Sequence, residues 1–102
     1  MTESWDEVAS TCRQARLYHH AFTIAGKEVE LDAMAQLMDS GVGVREIARL
    51  TRVPRSTVSR LCQDLAAAVQ QVEIERAEVD SELLEFARRT IRAPDGARPT
   101  AP

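Results

Sequence analysis

Aromatic residues are scarce in this sequence, which has one tryptophan, one tyrosine and two phenylalanines among 102 residues. A hydrophobic core must therefore be built mostly from Leu, Val, Ile, Ala and Met side chains. Long apolar runs are also lacking, and no segment approaches the roughly 20 apolar residues of a membrane-spanning helix. The first ten residues, MTESWDEVAS, are acidic and precede no apolar stretch, which is not the pattern of a secretory signal. We therefore expect a cytoplasmic protein that does not associate with a membrane.

Cysteine is rarer still, with only Cys12 and Cys62. Reduced cysteines in a cytosolic protein are commonly buried as small apolar groups, and we expect this of both. Cys12, His19 and His20 form a loose group of metal-binding residue types, but their spacing matches no zinc-site pattern. The sequence predicts neither a metal site nor a bound cofactor.

Apolar residues recur at intervals of three and four along most of the chain, which predicts an all-α fold of about five helices. Ser4 and Glu7 have the spacing of a capping box. The first helix is therefore predicted over residues 4–22, with Gly26 as the break that follows it.

Two further helices are predicted before the middle of the chain. The first covers residues 27–40 and ends at Gly41, a residue suited to the left-handed conformation that terminates helices. The second is short and covers residues 44–51. Pro54 cannot continue this short helix, but it suits the first turn of the next one.

After Pro54, neither glycine nor proline occurs before Pro94. One long helix or two are predicted in this segment, with Asp80–Ser81 as the internal start signal for a second helix. The Pro-containing tail, residues 93–102, is predicted to be disordered. The chain is thus predicted to form one helical domain over residues 1–92.

The stretch GVREIARLTRVPRSTVSRL, residues 43–61, has the pattern of a helix-turn-helix. Ala48 is the small residue at which the second helix can cross the first, and Ile47 before it fills the core. Val53 supplies an apolar residue in the turn. Val58 and Leu61, three apart, form the inner face of the second helix.

This stretch resembles the helix-turn-helix of bacterial DNA-binding proteins, most closely the resolvase/invertase and transposase type. The resemblance covers about residues 42–63 and extends more weakly back through the helix predicted over residues 27–40. Two positions depart from that pattern, because Arg52 occupies the turn position usually filled by glycine and Pro54 replaces the usual serine. A left-handed residue with a β-carbon costs about 1 kcal/mol.

The resemblance implies that the helix starting at Pro54 lies in the major groove of double-stranded DNA. The candidates for base contacts are Arg55, Ser56, Ser59 and Arg60, because arginine can bond guanine bidentately and serine can bond bases. The candidates for contacts with the DNA backbone are Arg45, Arg49, Arg52, Thr57 and Gln63.

The charge distribution agrees with this interpretation. Residues 42–62 contain five arginines and one glutamate, a net charge of +4. The remaining residues therefore carry −7, since the whole chain carries −3. Positive charge confined to one surface suits a protein that meets a polyanion on that surface alone.

A homodimer is expected, because one helix-turn-helix makes few base contacts and two can read neighbouring half-sites. The segment after the motif carries an apolar stripe that must be buried, on the first helix or on a second copy. The stripe comprises Leu65, Val69, Val72, Arg76, Val79, Leu83 and Phe86. The residues predicted for the dimer interface are Trp5, Val72, Val79, Leu83 and Phe86.

The leading hypothesis is a sequence-specific bacterial transcriptional regulator, most simply a repressor, without enzymatic activity. The alternative is an adaptor or inhibitor that binds a basic protein partner through the acidic C-terminal helix. The acidic residues of that helix are Glu73, Glu75, Glu78, Asp80, Glu82 and Glu85.

Overall fold

The computed structural model describes residues 4–93 and contains five helices and no strand within that range. They are α1 (Trp5–Asp39), α2 (Val44–Thr51), α3 (Arg55–Gln63), α4 (Leu65–Arg76) and α5 (Ser81–Arg92). The all-α prediction is confirmed. None of these helices is both long and apolar enough to cross a membrane. The predicted disordered tail lies outside the described residues, apart from Ala93.

A single helix of 35 residues, α1, replaces the two predicted helices on either side of Gly26. The predicted break was wrong for an energetic reason. Glycine inside a helix costs about 1 kcal/mol relative to alanine. Ile24, Ala25 and Leu31, on both sides of the glycine, are buried against other helices, and each large apolar side chain contributes roughly 1.5–3 kcal/mol when buried. Packing therefore outweighs the local preference.

Two glycines give opposite predictions for one type of substitution. A β-carbon at Gly26 would meet no atom within 4 Å, so Gly26→Ala should raise the free energy of unfolding by roughly 0.5–1 kcal/mol. Gly41 has φ +83°, so Gly41→Ala should lower it by about 1–2 kcal/mol. Urea denaturation followed by circular dichroism measures both. If Gly26→Ala were also destabilising, the uninterrupted α1 would be wrong.

The end of α1 agrees with the sequence prediction. The amide of Gly41 donates to the carbonyl of Met38 at 2.9 Å, and the amide of Val42 donates to the carbonyl of Leu37 at 3.0 Å. These bonds satisfy carbonyls at the helix end. At the other end, the amide of Glu7 donates to Ser4 Oγ at 3.2 Å, as the capping spacing predicted.

Two corners interrupt the segment after Pro54, one of them unforeseen. Asp64 ends α3 and caps α4, its side chain accepting a hydrogen bond from the amide of Ala67. Asp80 caps α5 in the same way, with Leu83 as the donor at 2.9 Å. The Asp80–Ser81 start signal is thus confirmed. The corner at Asp64 was missed because neither glycine nor proline marks it.

The core of the helical scaffold lies where α4 and α5 pack on the second half of α1. Its buried residues are Ile24, Ala25, Leu31, Val72, Leu84 and Ala87. The predicted stripe is confirmed as far as Val79, since Val72 is buried and Leu65 and Val79 pack around it, but the turn between α4 and α5 makes it wrong beyond that point. Leu84 and Ala87 point inward in α5, whereas Leu83 is half-buried and Phe86 is 46% exposed.

Ion pairs fix α5 and α4 along α1. Arg88 Nε of α5 donates to Glu28 Oε2 of α1 at 2.7 Å, and its Nη2 donates to Glu28 Oε1 at 3.1 Å. This hydrogen bonding raises the pKa of Arg88. Lys27 Nζ of α1 lies 3.2 Å from Glu75 Oε2 of α4. Gln71 and Lys27 both donate to Glu75 and lower the pKa of its carboxyl group.

The first half of α1 differs from the rest of the molecule, because every residue from 5 to 20 is exposed. Trp5 is 88% exposed. Cys12 is exposed too, so the expectation that both cysteines are buried was wrong for Cys12, while Cys62 is partly buried. The exposed half results from the length of α1, which extends beyond the helices packed on its second half.

Candidate DNA-binding surface

The helix-turn-helix has its own hydrophobic core, formed where α2 and α3 meet the end of α1. Met34, Ile47 and Val58 are completely buried there. The residues packed around them include Ala48, Val53 and Leu61. The sequence assigned Ile47, Ala48, Val53, Val58 and Leu61 to this inner surface, and the structure confirms all five. Leu61 also packs against the scaffold core, so it connects α3 to the rest of the domain.

The turn between α2 and α3 is built around Arg52. Arg52 has φ 60° and ψ 22°, the left-handed conformation, and its amide donates to the carbonyl of Ala48 at 2.9 Å. Thr51 supports the turn, since its hydroxyl donates to the carbonyl of Ile47 at 2.7 Å and accepts from the amide of Val53 at 3.3 Å. The turn therefore keeps its shape with arginine where glycine is usual.

Strain at Arg52 can be measured by comparing two variants that remove the same charge. Arg52→Gly relieves the left-handed strain, while Arg52→Ala keeps a β-carbon in that conformation. We expect the glycine variant to be more stable by about 1 kcal/mol. Thermal denaturation of the two variants measures the difference. Equal stabilities would show that the turn does not hold residue 52 in the left-handed region.

The outward face of α3 presents most of the residues predicted to contact bases. Arg55, Ser56 and Arg60 are exposed, and Ser59 is half-buried. Gln63 is exposed at the end of the same helix. Pro54 is the N-cap of α3, one position before the first turn in which it was predicted. As a proline it provides no side-chain hydrogen bond to the start of the helix. The first amides of α3 thus remain available to water or an anion.

Two of these residues lie at the edge of the outward face. Thr57 and Arg60 line a cleft between α3, α1 and α4, together with Lys27, Gln71 and Glu75. Thr57 is half-buried, while Arg60 remains exposed. The cleft side of α3 is therefore the boundary of the candidate surface.

The arginines of α2 and the turn extend the basic surface beside α3. Arg45, Arg49 and Arg52 are all exposed. Arg49 is held by Glu46, with Arg49 Nε donating to Glu46 Oε2 at 3.0 Å. This hydrogen bond lowers the pKa of Glu46. Glu46 therefore stays ionised at neutral pH and partly neutralises Arg49.

Four arginines of the motif form no ion pair with any residue in the range 4–93, namely Arg45, Arg52, Arg55 and Arg60. In contrast, Arg88 and Arg92 of α5 are paired with acids of α1. The guanidinium groups on the helix-turn-helix are thus available for an external anion. Arginine suits phosphate and guanine because its donors form a rigid fork.

The comparison with protein families identifies the type of this motif. Residues 31–68 match the IclR helix-turn-helix domain. The match begins in the second half of α1, includes all of α2 and α3, and ends in α4. It supports a DNA-binding transcriptional regulator. Neither the curated proteins nor the solved structures gave a significant match to the chain.

The family match corrects the resemblance inferred from the sequence. Residues 31–68 match the IclR type, and the comparison does not support the resolvase/invertase or transposase type. The sequence resemblance was centred on residues 42–63 and extended only weakly back through residues 27–40, whereas the matched domain starts at Leu31. The signal for the longer unit was present in the apolar stripe of Leu31, Met34 and Met38. Met34 and Met38 pack with α2 and α3, and Leu31 lies in the scaffold core, against which Leu61 of α3 also packs.

Proposed function

We propose that the protein is a sequence-specific DNA-binding regulator that represses transcription by covering promoter DNA. The observation that carries this proposal is the exposed set of unpaired arginines on an IclR-type helix-turn-helix. The acidic remainder of the chain supports it further, because acidic surfaces elsewhere limit non-specific contacts with DNA.

The proposed contacts follow the positions of the side chains. Arg55, Ser56, Ser59 and Arg60 of α3 contact base edges in the major groove, where arginine favours guanine. The backbone contacts are made by Arg45, Arg49, Arg52, Thr57 and Gln63. The uncapped start of α3 adds amide donors suited to a phosphate.

We also propose that two copies bind together. A homodimer presents two α3 helices to half-sites one or more helical turns apart. Of the five residues predicted for its interface, Val72 is buried in the core of its own chain and is not available to a partner. Val79 and Leu83 are half-buried, while Trp5 and Phe86 are exposed.

The salt dependence of binding tests the role of the basic surface. Each neutralised phosphate contributes about 0.9 to the slope of log K against log salt. Three to five arginine contacts predict a slope between about −2.7 and −4.5 for each bound chain. Fluorescence anisotropy with a labelled random-sequence duplex, titrated at salt concentrations from about 50 to about 200 mM, measures this slope.

Two arginine variants make that measurement specific. Arg45→Ala should reduce the magnitude of the slope by about 0.9. Arg76→Ala removes the same charge from the end of α4 and should leave the slope unchanged. A slope near zero, or equal effects of both variants, would contradict the assigned surface.

The alternative function, binding of a basic protein partner, rests on the corner between α4 and α5. Glu73, Glu78, Asp80 and Glu82 form no ion pair within residues 4–93, whereas Glu75 and Glu85 do. Under this alternative, alanine at Arg55 and Arg60 would leave partner binding unchanged. Under the DNA-binding proposal the same substitutions weaken binding to the specific DNA site strongly.

A further inference from the structure

The exposed first half of α1, residues 5–20, is termed here the N-terminal arm. No residue of the arm is buried. Sixteen residues of α-helix extend about 24 Å. Leu17 and Tyr18 line a cleft with Leu83 and Phe86 of α5 but stay exposed. A helix of this length that buries none of its residues is only marginally stable in water, because most helix stability in proteins comes from packing an apolar face. The arm is therefore expected to have a packing partner.

The arm carries a regular seam of four mostly apolar residues that ends at a histidine. Trp5, Val8, Cys12, Ala15 and His19 follow one another at alternating intervals of three and four residues. This is the a/d spacing of a coiled coil, in which the apolar seam of one helix packs against another helix. The same spacing continues through Phe22, Gly26 and Val29, which remain half-exposed.

The seam lies on a different side of α1 from the scaffold core. At 100° per residue, the seam residues are centred about 120–140° away from Ile24 and Leu31 around the helix axis. Ile24 and Leu31 pack in the cluster that includes α4 and α5. The helices of the same chain therefore cover one side of α1 and leave the seam residues from Trp5 to His19 exposed, while Phe22 already packs on Phe86 of α5.

We propose that this seam packs against the same seam of α1 in a second copy of the chain. The spacing of a coiled-coil seam requires a partner helix with the same spacing, and α1 supplies one. Charge does not oppose the pairing, because the arm contains two acids, Asp6 and Glu7, and two arginines, Arg13 and Arg16. Small residues at Cys12 and Ala15 allow the two helices to approach closely.

This inference rests on the proposed homodimer and assigns its interface to α1 in place of the C-terminal helices. It also explains why α1 extends past the helices that pack on it. The pairing does not require DNA, so the inference can be tested separately from DNA binding.

Sedimentation equilibrium of the full chain and the fluorescence of Trp5 provide two independent measurements. Trp5 is the single tryptophan of the sequence and is 88% exposed in one copy. We expect the mass to rise from monomer to dimer with protein concentration. The tryptophan emission should shift to shorter wavelength over the same concentrations, because pairing buries the indole.

Neighbouring residues of the arm provide matched variants. Ala15→Glu places a charge in the seam, and Gln14→Glu places the same charge on the adjacent position outside it. We expect Ala15→Glu to raise the dissociation constant at least about tenfold, a loss equivalent to one decade of affinity. Gln14→Glu should leave it nearly unchanged. Val8→Gln, which changes no charge, should weaken the dimer in the same direction.

Two outcomes would overturn the inference. One is a monomer at all concentrations up to about 1 mM, the weak end of ordinary affinities. The other is a dimer whose affinity is equal in Ala15→Glu, Val8→Gln and the wild type, since its interface would then lie elsewhere. If the wild type dimerises as described but binds no DNA, the proposed regulator function fails while this inference stands.

Discussion

Replacing Arg55 and Arg60 together with alanine is expected to weaken binding to the specific DNA site by at least about thirtyfold per chain. Each good bidentate contact between arginine and a base contributes about 1–3 kcal/mol of discrimination. Two such contacts contribute at least about 2 kcal/mol, and 1.4 kcal/mol corresponds to a factor of ten. Both side chains are exposed and form no ion pair within residues 4–93, so the fold should not change.

The matched control for this variant is the double substitution Arg76→Ala and Arg89→Ala. It also removes two exposed arginines that lack an ion pair in the described part of the chain, but these lie on α4 and α5. Anisotropy titrations at one salt concentration should give near wild-type affinity for this control. If both double variants lost affinity equally, net charge and not the face of α3 would control binding.

The largest expected loss of stability comes from Ile47→Ala in α2. Ile47 is completely buried with Met34 and Val58. Removing such a side chain typically costs about 2–5 kcal/mol, because apolar burial is lost and a cavity remains. That cost approaches the whole stability of many small domains, which is about 5–15 kcal/mol. We expect a large fall in the urea midpoint and a parallel loss of DNA affinity, since α2 and α3 would no longer hold their crossing.

Leu50→Ala is the control for Ile47→Ala within the same helix. Leucine and isoleucine have the same number of carbon atoms, but Leu50 is 52% exposed. Its substitution should cost less than about 1 kcal/mol, in the range of surface changes. Urea denaturation of both variants provides the comparison. If Leu50→Ala were as destabilising as Ile47→Ala, the assigned inner face of α2 would be incorrect.

The helix-turn-helix could be predicted from sequence because its signals are local. Gly41 ends α1 in the left-handed conformation, and α2 has the predicted bounds of residues 44 and 51. Pro54 marks the start of α3 because it cannot continue the preceding helix. For Arg52 the pattern left two possibilities, a left-handed residue or a turn of another shape, and the structure has the left-handed residue. In this segment the short-range preferences and the packing agree.

The scaffold was harder to predict because tertiary packing overrides its local signals. Gly26 has the chemistry of a helix break, but burial of the residues around it keeps α1 continuous. Asp64 looked like an ordinary helix residue, yet its side chain caps α4. An aspartate before the apolar start of a helix is a recognisable N-cap signal. Asp64 is such a residue, and this signal could have predicted the start of α4.

Predicting which residues of α5 face the core required the position of the turn between α4 and α5. A stripe drawn through one continuous helix selected Leu83 and Phe86, while the turn before Asp80 changes the phase and places Leu84 and Ala87 in the core. The spacing of Leu84 and Ala87 by three was visible in the sequence. Choosing between the two stripes required knowing where α4 ends.

Selection of bound sequences from a pool of random duplex DNA tests the central proposal most directly. A protein that reads bases with Arg55 and Arg60 on each of two α3 helices should enrich one sequence with two related halves in inverted orientation. Guanines should occur where arginine contacts are expected. The absence of any sequence enriched above the starting pool, with folded protein at saturating concentration, would contradict a sequence-specific regulator.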